Sequence, residues 1–194
     1  ARELGFVIKL LAIAKQQNGS VEARVHPAMV PTDSLLANIH DEFNAIQVQG
    51  SAVGPQVFSG RGAGQMPTAS AVVADMVELV ERKVAGAGTA IGDMIIGEEA
   101  VSIAPVENVE MRYFLRALVC DQPGVLERIA RILAEEHISI ASVIQKERDL
   151  EGGSVPLVIV THEAKEAAMQ RALGAIDALD AVPDGVKLIR MEEL

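Results

Sequence analysis

Arg112-Tyr113-Phe114-Leu115-Arg116-Ala117-Leu118-Val119-Cys120-Asp121-Gln122-Pro123-Gly124 decides how the second half of the chain is built. Tyr113, Leu115, Ala117 and Val119 alternate with their neighbours, the period of a strand with one buried face. Asp121, Gln122, Pro123 and Gly124 then break the alternation: the proline fixes φ, the glycine permits close backbone approach, and together they form a turn into a helix. Beyond it Leu126, Ile129, Ala130 and Leu133 recur at helical spacing and give that helix an inner stripe. Residues 138–145 read as a second strand, 148–153 as a polar turn and 155–161 as a third strand. A second helix is expected to bury Met169, Leu173, Ile176 and Leu179, and residues 186–190 make a last strand. The order βαββαβ folds into a four-stranded antiparallel sheet with both helices on one face.

With Asp121-Gln122-Pro123-Gly124-Val125-Leu126 at its first turn, this unit resembles an ACT domain, the small module by which amino-acid biosynthetic enzymes sense an amino acid. The resemblance implies an effector site on Asp121, Gln122, Pro123, Gly124, Val125 and Leu126, with Ile140 on the facing strand. A helix start favours a carboxylate through its amides and the positive end of its dipole. Asp121 can satisfy amides there, and Gly124 lets a ligand come close. The alternative is a ferredoxin-like fold without a ligand, because fold does not establish function.

Upstream, glycine rises and helical period is lost from about Gly86 to Pro105, which reads as a linker. Met94-Ile95-Ile96 within it is apolar enough to dock on the first domain. The expected domains are residues 1–105 and 106–194. Before the linker, an apolar segment enters Ser59-Gly60-Arg61-Gly62-Ala63-Gly64 and then a helix with Pro67 and Thr68 in its first turn. Val73, Met76, Val77, Val80 and Val84 form a stripe expected to cover a core, opposite Asp75, Glu78 and Arg82. The turn can bind an anion or be only a turn. Gln65 and Pro67 stand where the dinucleotide fingerprint needs its last glycine, and no Gly-Lys-Ser or Gly-Lys-Thr follows.

Gly60-Arg61-Gly62-Ala63-Gly64 followed by Pro67-Thr68-Ala69-Ser70-Ala71-Val72-Val73-Ala74-Asp75 resembles homoserine dehydrogenase. So do Glu3-Leu4-Gly5-Phe6-Val7-Ile8-Lys9-Leu10-Leu11-Ala12-Ile13-Ala14 and Arg24-Val25-His26-Pro27. With the ACT-like tail, the resemblance covers nearly the whole chain. It implies the latter part of a substrate and dimerisation domain, from an enzyme that interconverts homoserine and aspartate 4-semialdehyde with NAD(P). It also implies that Gly62 and Gly64 match glycines approaching that cofactor. The family's catalytic lysine and homoserine-binding acids precede the residue matching Ala1, so no catalytic residue is assigned here. No Rossmann unit is evident, so the chain alone is expected to be inactive and to hold no NAD(P). Threonine, an end product of the implied pathway, is the leading effector, and a homo-oligomer, most simply a dimer, is expected.

At the start, residues 6–14 are apolar on both faces and read as a buried strand, with Lys9 reaching an edge by its stem. Asn18-Gly19 is a hairpin turn, residues 21–25 return, and His26-Pro27 ends the strand. Asp33 or Ser34 caps a short helix with Leu35, Leu36, Ile39 and Phe43 on its apolar face. Residues 46–48 and 57–58 flank a turn at 50–55. The fold class is α+β: a partial mixed or antiparallel sheet with helices on one face, followed by the βαββαβ unit.

His26, His40, His137 and His162 lack metal-ligand spacing and complete no triad, so no metal is expected. Cys120 reads as a small buried hydrophobe in a reducing compartment. A formal charge of −10 over 194 residues, from 27 acidic and 17 basic side chains, argues against nucleic acid or an anionic membrane as partner. No apolar run reaches membrane-spanning length, and a cytoplasmic location is expected. The lack of an initiating Met reads as a piece of a longer chain. Two other readings stand beside the dehydrogenase: a non-catalytic amino-acid sensor, and an assembly module without a ligand.

Overall fold

The computed structural model describes residues 1–17, 19–87, 101–145 and 153–193. In chain order these form β1 (Phe6–Gln17), β2 (Ser20–Pro31), β3 (Phe43–Gly50), β4 (Gly54–Arg61), α1 (Gln65–Val84), β5 (Ser102–Ile103), β6 (Glu110–Cys120), α2 (Val125–Glu135), β7 (Ile140–Gln145), β8 (Ser154–Thr161), β9 (Ala164–Lys165), α3 (Glu166–Asp177) and β10 (Val186–Met191). Asn18 of the expected hairpin turn, residues 88–100 of the expected linker with Met94, Ile95 and Ile96, and residues 148–152 of the expected polar turn lie outside the described residues.

Packing divides the chain into two compact units, Ala1–Thr32 with Val101–Leu194, and Asp33–Ala100. This division does not follow the chain-order boundary expected at residue 105. The reason is the sheet of the first unit, whose order is β1-β2-β10-β6-β8-β7, with β5 on β2 and β9 on β6. Within it β10-β6-β8-β7 is the antiparallel βαββαβ sheet expected from the sequence. Its outer strand β10 adds in parallel to β2, through Arg190 opposite Ala28 and Met191 opposite Met29. The β1–β2 hairpin thereby extends the same sheet.

The core of this unit gathers Tyr113, Leu115, Ala117 and Val119 of β6 with Val125, Ile129 and Leu133 of α2 and Met169, Ala172 and Ile176 of α3. The alternation read in β6 is therefore the buried face. On α2 Ile129 and Leu133 are buried as expected, but the stripe starts at Val125, since Val125 is buried while Leu126 is 39% exposed. Positions 125, 129 and 133 are spaced i, i+4 along one face of the helix. On the other face of the sheet, Met29, Phe114, Val160 and Met191 make a smaller cluster, with Leu4 and Phe6 packed against it. That face is therefore partly covered from within, while Leu118 and Val143 remain 40% exposed.

β2 does not end at His26-Pro27: Pro27 lies opposite Leu10, and pairing with β1 continues to Pro31 opposite Phe6. A proline costs a strand one N–H, and Pro27 stands just before β2 begins to pair with β10, at Ala28 and Met29, so the pairing with β10 does not need it.

In the second unit β3 and β4 form a two-stranded antiparallel ribbon, longer than the pieces expected at 46–48 and 57–58. The helix expected after Asp33 or Ser34 is only a 3₁₀ turn, Leu36–Asn38. α1 forms where its spacing places it but buries no residue, and Val73, Met76, Val77 and Val80 are each more than half exposed. It does not cover a core as expected. A two-stranded ribbon offers too little surface to bury a 20-residue helix.

Candidate functional site

The loop at 121–126 leaves β6 and enters α2. The Cys120 amide donates to the Ala181 carbonyl and the Asp121 amide to the Gly153 carbonyl, which pins the loop where it leaves β6. Gly124 is the N-cap residue at φ +88, a left-handed conformation that favours glycine. A Cβ built there meets nothing within 4 Å, so the space above it is open. Gln122, Pro123 and Gly124 are exposed, Asp121 is half-buried and Val125 faces the core. Ile140 begins β7 opposite Thr161, at the end of the sheet away from Cys120 and Ser154, so it is not brought beside the loop as expected and packs against the core instead. The structure thus gathers the loop residues at one helix start. Val125 serves packing there, and Leu126 turns outward.

In the other unit, Gly62 and Gly64 flank the turn from β4 into α1. A Cβ on Gly62 would lie 1.9 Å from Asn44 Nδ2, so Asn44 itself fills the space that a side chain would need. Gly64 is the N-cap of α1 at φ +117, and its Cβ would approach Pro67 Cδ at 3.3 Å. Both glycines are accounted for by the chain itself, Gly62 by Asn44 and Gly64 by its positive φ and Pro67. Beside them Arg61 lies 5.7 Å over the Phe43 ring.

Sequence reasoning passed over two buried ionic clusters at the join of β2, β6 and β10. In the first, the Arg24 guanidinium donates to Glu22 and Glu192, and Lys15 Nζ donates to Glu192 Oε2 at 3.0 Å. Arg24 Nε also donates to His26 Nε2 at 3.1 Å, while His26 Nδ1 lies 3.1 Å from the Pro27 carbonyl. Nε2 must then be the acceptor and Nδ1 the protonated nitrogen, which makes His26 neutral. Burial, with Arg190 and Arg24 near, lowers its pKa below the usual value. Burial alone would raise the Glu192 carboxyl, but hydrogen bonds from Arg24 and Lys15 bring it below the usual range.

In the second cluster the Tyr113 hydroxyl donates to Glu166 Oε2 at 3.0 Å, Arg190 Nε donates to the same oxygen at 3.0 Å, and Gln170 donates to Oε1 at 2.7 Å. Burial and the Glu166 charge push the Tyr113 hydroxyl well up. Glu166, though buried, is held low by Arg190 and Gln170. The sequence carried a signal for the first cluster, since Glu22, Arg24 and His26 stand two apart and share one face of a strand. Among the described residues no three His, Cys, Asp or Glu side chains converge as a metal would need, and no helix is long and apolar enough to cross a membrane.

The homoserine dehydrogenase family model matches residues 1–77, and the ACT domain model matches residues 113–178. A homoserine dehydrogenase of Pseudomonas aeruginosa is 40% identical over 197 residues, covering 100% of this chain and 45% of that protein. One from Neisseria gonorrhoeae is 39% identical with the same coverage. Among solved structures, a homoserine dehydrogenase from Thiobacillus denitrificans superposes with a TM-score of 0.84 at 39% identity, covering 99% of this chain and 44% of that one. The chain therefore spans less than half the length of these relatives.

Proposed function

The chain belongs to the homoserine dehydrogenase family and ends in an ACT domain, and from that premise we propose that it is the C-terminal substrate-domain and regulatory portion of such an enzyme. The reaction is the NAD(P)-dependent interconversion of L-homoserine and L-aspartate 4-semialdehyde, in the cytoplasm, on the way to threonine, methionine and isoleucine. Residues 1–105 belong to the substrate and dimerisation part and 106–194 to the regulatory part. Gly62 and Gly64 form a corner beside the cofactor, and an amino acid, threonine first, binds at the 121–126 loop and feeds back on activity. The observation that carries the reading is the succession of the two family matches along one chain whose fold follows a homoserine dehydrogenase at a TM-score of 0.84.

The loop is tested by titrating threonine, isoleucine, methionine and lysine calorimetrically into the chain and into two variants. Gly124→Leu places a side chain in the open space but also strains the backbone by roughly 1–2 kcal/mol, because φ is +88. Gly124→Asn tolerates that conformation and occupies the same space. Both should weaken effector binding by more than the roughly 1 kcal/mol of a neutral hydrogen bond. Equal affinity in the Asn form, or no heat with any of the four, would leave the loop as a structural turn.

The chain also self-associates, most simply as a dimer. The support is apolar surface left bare on α1 and on β3–β4, where Ile46 and Phe58 are 66% and 63% exposed. Light scattering should return twice the 20.6 kDa chain mass at micromolar concentration. A monomer mass across a hundredfold dilution series above that point would overturn it.

A further inference from the structure

A cleft of about 590 Å³ opens where the β1–β2 hairpin meets the beginning of the ACT domain, walled by Lys15, Glu22, Glu110, Glu163 and Lys165, with Ile103 among the apolar side chains. We propose that this cleft is a second amino-acid site, which takes a free α-amino acid as its zwitterion and is separate from the 121–126 loop. The two places lie at opposite ends of β6, an 11-residue strand, and therefore about 30 Å apart at the rise of an extended chain.

The wall chemistry selects the ligand class. Two ammonium groups and three carboxylates line one small space. A simple anion would face the carboxylates, and a simple cation would face the lysines. A metal ion is disfavoured because no three acidic or histidine side chains among the described residues converge on a point. A compact molecule carrying both signs meets both kinds of wall. Lys165 stands opposite Glu110 in the β6–β9 register, so their Cβ atoms lie about 5 Å apart. That places one positive and one negative group side by side, as the carboxylate and ammonium of an α-amino acid require. Charge-assisted hydrogen bonds then hold both ends of the ligand.

The same walls reach the buried join of the sheet. Lys15 also holds Glu192, and Glu22 also holds Arg24. Lys15 of β1 reaches the Glu192 carboxylate directly and Glu22 reaches it through Arg24, so a ligand that draws on either acts on the residue that follows β10.

The test is a ¹⁵N NMR titration of the chain with the twenty amino acids in pools by side-chain class, with acetate and ethylammonium as single-charge probes. At least one amino acid should shift the amides of residues 102–110 and 163–165 saturably, and the single-charge probes should not. Glu163→Gln combined with Lys165→Met, both at exposed positions, should weaken that binding roughly tenfold or more, whereas Gly124→Asn should leave it unchanged. Shifts confined to residues 121–126 would overturn the cleft and uphold the loop. Shifts in the cleft alone would do the reverse. Equal binding of acetate or ethylammonium, full binding by the double variant, or no saturable shift with any amino acid would also overturn the proposal.

Discussion

Glu192→Ala should destabilise the chain by about 3–5 kcal/mol, because it removes one of the two carboxylates on the buried Arg24 guanidinium and the partner of Lys15 as well. The side chains of Arg24 and Glu192 are only 5% and 3% exposed, so water cannot replace the lost carboxylate without opening the sheet. The loss falls where β2 and β10 share only two register pairs. Side chains must therefore hold much of that join. Replacing both charges together, as Arg24→Met with Glu192→Leu, should recover only part of the loss, since the apolar pair has no desolvation to offset but Glu22, 14% exposed, is left without Arg24. Urea unfolding followed by circular dichroism measures both variants. A cost below about 1 kcal/mol for the single change would put the pair in the class of surface bridges.

The same join sets the response to acid. Glu192 and Glu166 are held below the usual carboxylate range in the folded chain. Their contribution is present above the unfolded carboxylate pKa and is lost as pH falls through the lower folded values. His26 is also held below its usual 6.5. The unfolded chain therefore takes up that proton first, and stability begins to fall as pH drops below 6.5. All three groups act in the same direction. Stability should decline in two stages on acidification, and His26→Gln should remove the earlier one while leaving the later.

The sequence made the βαββαβ unit legible because its buried faces are carried by strict periods: 113, 115, 117 and 119 on β6, and the apolar spacing of α3. That Val125 rather than Leu126 starts the buried stripe of α2 was hidden because both are apolar, and only contact with the sheet decides which points inward. Pro27 looked like a terminator because a proline's effect depends on which side of the strand has a partner. The parallel addition of β10 to β2 had no local signature, since it joins residues more than 150 positions apart. The buried clusters were obscured for the same reason: Arg24 and Glu192 look like surface charges until the sheet brings them together. On α1 the period was real but its partner surface is not among the described residues. For the candidate site, the glycine at 124 and its turn were readable from composition. The open space above it was not, because that depends on how the flanking strands are pinned.

Leu133→Ala should cost about 2–5 kcal/mol, the range for truncating a buried leucine where the surroundings close only partly. Leu133 is fully buried between the sheet and the helices, in the same stripe as Val125 and Ile129. It lies in the last turns of α2, about two turns from the 121–126 loop, so the loop's own atoms are untouched. Leu126→Ala makes the opposite test. Leu126 is 39% exposed at the first turn, and its truncation should change stability by less than about 1 kcal/mol, because little apolar area leaves contact with the core. If the loop binds an amino acid as proposed, Leu126→Ala should weaken that binding severalfold in a chain that still folds normally. Leu133→Ala, measured well below its melting temperature, should leave the affinity of the folded fraction unchanged. Thermal unfolding and effector titration on the two variants therefore separate packing from recognition on one helix. Equal stability losses would mean that Leu126 carries the packing the sequence first assigned to it, and unchanged binding by Leu126→Ala would remove that side chain from the effector site.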